Sequence, residues 1–233
     1  MAEFLTCGLI LCLYFIVLAL IALTMRKLFK IPNEIFRKIL HFILLGSFLI
    51  FVYVYETWWI GLITCGVFVV VVYPILMFFE RFKSYSNMVT ERKSGELKTS
   101  LIFVFGMFSL VIVVCLGWLN DKMLALASIY SWGFGDALAA LIGTKFGKHK
   151  IYKKKSLEGT LAYVIISFII VLSILLIRGG MPWYSYLVCS FITAVVGSVV
   201  ELYTPNGLDT VSCPLASMVV LILMLLAFGG VII

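Results

Sequence analysis

The chain has 233 residues, of which 64% are hydrophobic and only 12% charged, and it carries a formal net charge of +7. That balance lies far outside the range of soluble globular domains and excludes a water-soluble enzyme. The apolar runs are unalternating and about 17 to 22 residues long, the length a helix needs to cross a hydrocarbon layer, whereas a transmembrane barrel would show short alternating segments. The fold class expected is therefore all-α, a polytopic integral membrane protein.

Eight spans are read in chain order, at 4–25, 36–54, 57–79, 101–119, 123–143, 161–177, 183–202 and 211–230. Glu3 precedes the first where a secretory signal would place Lys or Arg, so that span is expected as an uncleaved helix. Cys7, Cys12, Cys65, Cys115, Cys189 and Cys213 lie in or beside apolar runs, with no Cys-x-x-Cys spacing, and are expected to act as small hydrophobes. No repeat, low-complexity tract or soluble domain interrupts the pattern, and residues 1–233 are expected as one transmembrane domain.

The joints between spans alternate in charge. Those after the first, third and fifth hold Arg26, Lys27, Lys30, Arg37 and Lys38, then Arg81, Lys83, Arg92, Lys93 and Lys98, then Lys145, Lys148, Lys150, Lys153, Lys154 and Lys155. Sixteen of the 18 basic residues thus fall on one side, leaving Lys122 and Arg178 on the other. The positive-inside rule assigns the basic side to the cytoplasm and both termini to the outside. Lysines divided among loops against a bilayer, with no reading module, exclude nucleic acid as a partner. Anionic lipid headgroups and a cytosolic polyanion are the partners such loops suit.

The unusual polar residues gather on that same side. Arg37 and His41 stand one turn apart at the start of the second span, and Gly95 and Glu96 lie just before the fourth. Asp136 sits in the fifth span behind Gly133 and Gly135, which permit a broken helix or a close contact. A carboxylate at that depth is costly unless it serves a site. The loop at about 144–157 then supplies six lysines, and a helix restarts at Ser156, a plausible N-cap, with Glu158 in its first turn. Gly159 and Thr160 keep the helix start small and rich in donors, as a phosphate site requires. Glu201 closes the seventh span and Asp209 precedes the eighth, across a Pro205-Asn206-Gly207 turn that can bring them together. Two adjacent carboxylates repel unless a cation lies between them, and hard oxygen ligands suit Mg²⁺. Gly143 to His149 is no Walker A motif, because its glycines are one residue too close and histidine stands in place of Ser/Thr.

Gly135-Asp136-Ala137 through Gly143, Phe146-Gly147-Lys148 and Lys155-Ser156-Leu157-Glu158-Gly159-Thr160, followed by Glu201, Gly207-Leu208-Asp209 and Pro214-Leu215, resemble the motifs of the polyprenol kinase family. Dolichol kinase, phytol kinase and the CTP-dependent diacylglycerol kinase belong to it. Arg37-Lys38 with His41, and Gly95-Glu96, are similar to its weaker upstream motifs. One departure is Asp209-Thr210, where the family often has Asp-Asn. The resemblance implies transfer of the γ-phosphoryl of a nucleoside triphosphate, usually CTP, to the hydroxyl of a membrane lipid, with Mg²⁺ or another divalent cation. The acceptor would be a polyprenol, dolichol, a shorter isoprenoid alcohol or diacylglycerol. A prokaryotic member would sit in the cell membrane with its active site facing the cytoplasm.

On that basis Lys145, Lys148, Lys150 and Lys155, with the Ser156 helix start, Gly135, Gly159 and Arg37, are expected to hold the nucleotide. Asp136, Glu201 and Asp209 are the expected metal ligands, Asp136 or Glu158 the proton acceptor, and His41 a further catalytic candidate. Three other readings are weighed against this one. A CTP:phosphatidate cytidylyltransferase-like enzyme would release pyrophosphate, an anionic-solute transporter or flippase would consume no CTP, and a structural membrane subunit would need no such clustering.

Overall fold

The computed structural model describes residues 2–80, 95–153, 155–205 and 207–230. Arg81, Lys83, Arg92, Lys93, Lys154 and Asn206 lie outside the described residues. Among those described, eight helices are long and apolar enough to cross a membrane, as the hydropathy pattern requires. Helices satisfy their own backbone hydrogen bonds, which lipid cannot do, so an apolar chain of this kind has little alternative. The chain groups into two compact units, Met1–Val113 and Val114–Ile233.

The first unit contains α1 (Ala2–Phe29), α2 (Asn33–Tyr53), α3 (Trp58–Phe79) and α4 (Glu96–Val111). Aromatic rings fill its interior: Phe68 stacks on Phe105 with centroids 4.7 Å apart, and Phe48 lies 4.7 Å from Phe108. Glu3 has a structural task. Its carboxylate accepts the Thr57 N–H at 2.9 Å, the Glu56 N–H at 3.0 Å and the Thr57 hydroxyl at 2.9 Å, so it caps α3 from another helix.

The second unit opens with the end of a π-helical stretch (Ile112–Trp118) and continues with α5 (Lys122–Phe146), α6 (Leu157–Arg178), α7 (Trp183–Tyr203) and α8 (Asp209–Ala227). Each helix packs on the next, and α8 returns to α5, closing a ring of four. The α5–α6 pair runs antiparallel and close, for a Cβ on Gly159 would stand 3.0 Å from the Ala139 carbonyl and 3.3 Å from Gly143 Cα. Between these helices the lysine-rich loop forms a small antiparallel hairpin, β1 (Lys150–Tyr152) and β2 (Lys155–Ser156), where the sequence reading places only a loop. Lys153 turns it with a positive φ of 50°.

Candidate active site

All the carboxylates of interest except Glu96 lie in the second unit, on elements that meet at one end of the ring. The end where α6 begins, α7 finishes and α8 begins brings Glu158, Glu201 and Asp209 to neighbouring helix termini. Asp136 lies further along α5, about 15 Å by helical rise from the helix end at Phe146. It is level with the second turn of α6, because Gly135 packs on Tyr163. Gly135, beside Asp136, and Gly197, one turn before Glu201, both pack on the Tyr163 ring, so α5 and α7 approach at that level. Acids on three helices are thereby drawn toward one end of the ring, although Glu201 and Asp209 lie 65 and 73 residues from Asp136 in the chain.

One lysine answers them. Lys155, the first residue of β2, places its Nζ 2.7 Å from Glu201 Oε1 and also donates to the Glu201 backbone carbonyl. That second bond satisfies one of the orphan carbonyls at the C-terminal end of α7, where a cation is favoured by the helix dipole as well. The same ammonium acts on Asp209. Asp209 Oδ1 accepts the N–H of Gly207 at 2.9 Å and of Thr210 at 3.0 Å, so its own turn fixes its position at the start of α8. Among the described residues no three Asp, Glu, His or Cys side chains stand closely enough to hold a metal ion as they are. The donor set of Asp136, Glu201 and Asp209 is nonetheless all hard oxygen, and chemically it suits Mg²⁺.

The remaining expected residues divide clearly. Ser156 is buried and its hydroxyl accepts the Gly159 N–H at 3.2 Å, the N-cap its position predicts. Gly143 and Gly147 crowd this same hydroxyl, and a Cβ at Gly147 would collide with it and with the Gly143 carbonyl. Glu158 turns to the hairpin: it accepts from the His149 backbone N–H at 3.3 Å, and its Oε1 lies 2.8 Å from His149 Nδ1. Lys145, Lys148, Lys150 and Lys153 are exposed around it, unlike Lys155. Arg37 and His41 belong to the first unit, on α2. Arg37 pairs with Glu34 at 3.2 Å, and His41 is half-buried with its ring against Phe42. Gly95 adopts a left-handed conformation, φ 81°, just before α4.

Sequence reasoning missed Tyr163. It is fully buried on α6, between Gly135 on α5 and Gly197 on α7. Its neighbourhood holds the charges of Asp136, Glu201 and Asp209. The signal was a tyrosine inside an apolar span with a glycine one residue before Asp136 and another one turn before Glu201, a pattern that reads as packing alone until the helices are paired.

No family model matches the chain, and no solved structure matches it. Over 199 residues the chain is 29% identical to the phytol kinase of Synechocystis sp., across 83% of this chain and 80% of that protein.

Proposed function

We propose that the protein is a kinase of membrane lipid alcohols, which moves the γ-phosphoryl group of a nucleoside triphosphate, CTP by the family resemblance, onto the hydroxyl of an isoprenoid alcohol or a related lipid. One observation carries the reading: α5, α7 and α8 carry Asp136, Glu201 and Asp209 toward the end of the ring where Lys155 pairs with Glu201 at 2.7 Å, beside a hairpin of exposed lysines. The similarity to a phytol kinase across most of both chains supports it.

Phosphoryl transfer demands alignment and charge compensation more than covalent help from protein. The exposed Lys145, Lys148 and Lys150 would meet the polyphosphate from the cytosolic side, with Lys155 at the boundary between the hairpin and the carboxylates. Asp136, Glu201 and Asp209 would hold Mg²⁺, which supplies positive charge against the phosphate oxygens. Asp136 or Glu158 would accept the hydroxyl proton, and Glu158 would do so from its place beside His149. The lipid tail needs no special pocket beyond the apolar helix faces, so the alcohol would approach laterally with its hydroxyl at the carboxylate level.

Purified protein in nanodiscs, given Mg²⁺ with each labelled triphosphate and each lipid alcohol, tests this directly. A lipid monophosphate with the nucleoside diphosphate is the expected product pair. Release of pyrophosphate would instead identify a nucleotidyltransferase, and binding without nucleotide turnover a transporter.

A further inference from the structure

The Tyr163 ring touches both of the helices whose acids define the candidate site. A Cβ placed on Gly135 would stand 2.9 Å from Tyr163 Cε2 and 3.0 Å from both Cδ2 and Cζ. On the opposite edge, a Cβ on Gly197 would stand 3.0 Å from the Tyr163 hydroxyl and 3.2 Å from Cε1. The ring therefore bridges the α5 backbone and the α7 backbone with no other side chain between, and it has nowhere to swing because it is fully buried. Gly135 is adjacent to Asp136, and Gly197 lies one turn before Glu201, on the same helix face. Whatever sets the gap between those two backbones sets the gap between the two carboxylates.

We propose that Tyr163 is a positioning residue: its ring is the spacer that fixes the separation of Asp136 and Glu201, and the glycines at 135 and 197 are the seats that receive it. The proposal rests on the kinase reading for what that separation serves. The hydroxyl is not what holds the ring. Among the described residues it is buried without a hydrogen-bond partner, as is the Ser217 hydroxyl, which would stand 3.5 Å from the same Gly197 Cβ. A buried hydroxyl with no partner adds nothing that an apolar group of the same shape would lose. Size, rather than hydrogen bonding, is therefore the property the site uses.

The two seats differ in a way that can be measured. An alanine at Gly197 meets the hydroxyl at 3.0 Å, which Tyr163→Phe removes, and Cε1 at 3.2 Å, which it keeps, whereas an alanine at Gly135 meets ring carbons alone, all of which Tyr163→Phe keeps. The experiment compares Gly197→Ala, Gly135→Ala, Tyr163→Phe and the two double variants, each purified as the full chain, by melting temperature and by kcat and KM below the melting range. Gly197→Ala and Gly135→Ala are each expected to lower kcat by about 10- to 100-fold, since small displacements of reacting groups are costly. Tyr163→Phe alone is expected to lower it by about threefold or less. Adding Tyr163→Phe should restore part of the loss in Gly197→Ala, in both melting temperature and kcat, and little or none of it in Gly135→Ala. Equal rescue of both alanine variants, or of neither, overturns the proposal. So does rescue in melting temperature with kcat unmoved throughout, which would make the ring a packing residue only. If the wild-type chain forms no lipid monophosphate, the kinase reading fails and the positioning role fails with it. The melting-temperature comparison, which needs no turnover, still shows in that case whether the ring is wedged, so the two failures can be told apart.

Discussion

The two ends of the second unit handle charge in opposite ways. At the end where α6 finishes and α5 begins, Arg178 Nε donates to Asp121 Oδ2 at 2.6 Å, and the other oxygen of that carboxylate accepts the Leu124 N–H at 2.9 Å, capping α5. One acid meets one base, both are largely buried, and the chain passes on through the tight turn at Gly179 and Gly180. At the other end Lys155 pairs with Glu201 at 2.7 Å, Asp209 is held by the N–H groups of its own turn, and Asp136 lies deeper along α5. A matched buried pair closes an end and supports structure, whereas acids gathered from several helices are costly to bury and form the pattern of a site that receives a cation.

The sharpest way to break this contrast is Asp136→Asn. If the end that gathers the acids is the catalytic one, the variant keeps its fold and loses about 10³-fold in kcat for lipid phosphorylation, the scale expected when an acceptor of protons or a carrier of site charge is neutralised. Retention of a tenth or more of the activity would place the chemistry elsewhere. Next in size is Lys155→Met, which leaves Glu201 without its counter-ion and the polyphosphate without the nearest ammonium. Its kcat/KM for the nucleotide should fall by about 10²-fold. Tighter Mn²⁺ binding in a spin-resonance titration should accompany that fall, because the ammonium paired with Glu201 no longer competes for its carboxylate. Weaker Mn²⁺ binding would mean that Lys155 assembles the acids instead of occupying them.

Arg178→Met tests the closed end. Removing one partner of a buried pair leaves Asp121 uncompensated, and the expected cost is about 3–5 kcal/mol of stability, read as a fall in melting temperature. The folded fraction should keep its kcat within about twofold, because the pair stands at the opposite end of these helices from Lys155 and Glu201. A large loss of kcat at full folding would show that the closed end also serves the reaction.

The eight spans were legible because hydrocarbon imposes a length and a polarity that no other environment demands, and the structure moves their ends by only a few residues. Asp136 stands out in the sequence for the same reason, as a charge that lipid would otherwise exclude, and Glu201 and Asp209 stand out as two acids flanking the Pro205-Asn206-Gly207 turn. The hairpin at Lys150–Ser156 was not, since its two strands are held by main-chain bonds and a left-handed Lys153, and a run of lysines shows no alternation. Nor could the sequence say which of six lysines would turn inward. That choice follows from Lys155 being the last residue before the Ser156 cap, where the chain must bend back against the end of α7. Tyr163 was hidden because a tyrosine in an apolar span looks like any core aromatic, and its meaning lies in which two helices flank it.

Glu158 is the smallest and most discriminating case, because it belongs by position to the acidic end and by contact to the hairpin. Its carboxylate is bonded to His149 at the outer edge, where solvent and salt weaken such a pair. If the hairpin only presents lysines to the nucleotide, Glu158→Gln loosens that loop and raises KM for the triphosphate by about twofold to fivefold, with kcat held and the difference shrinking at high ionic strength. A fall in kcat comparable to that of Asp136→Asn, insensitive to salt, would make Glu158 the group that takes the hydroxyl proton. The catalytic end would then extend outward to the hairpin, and the contact with His149 would have to open before each transfer.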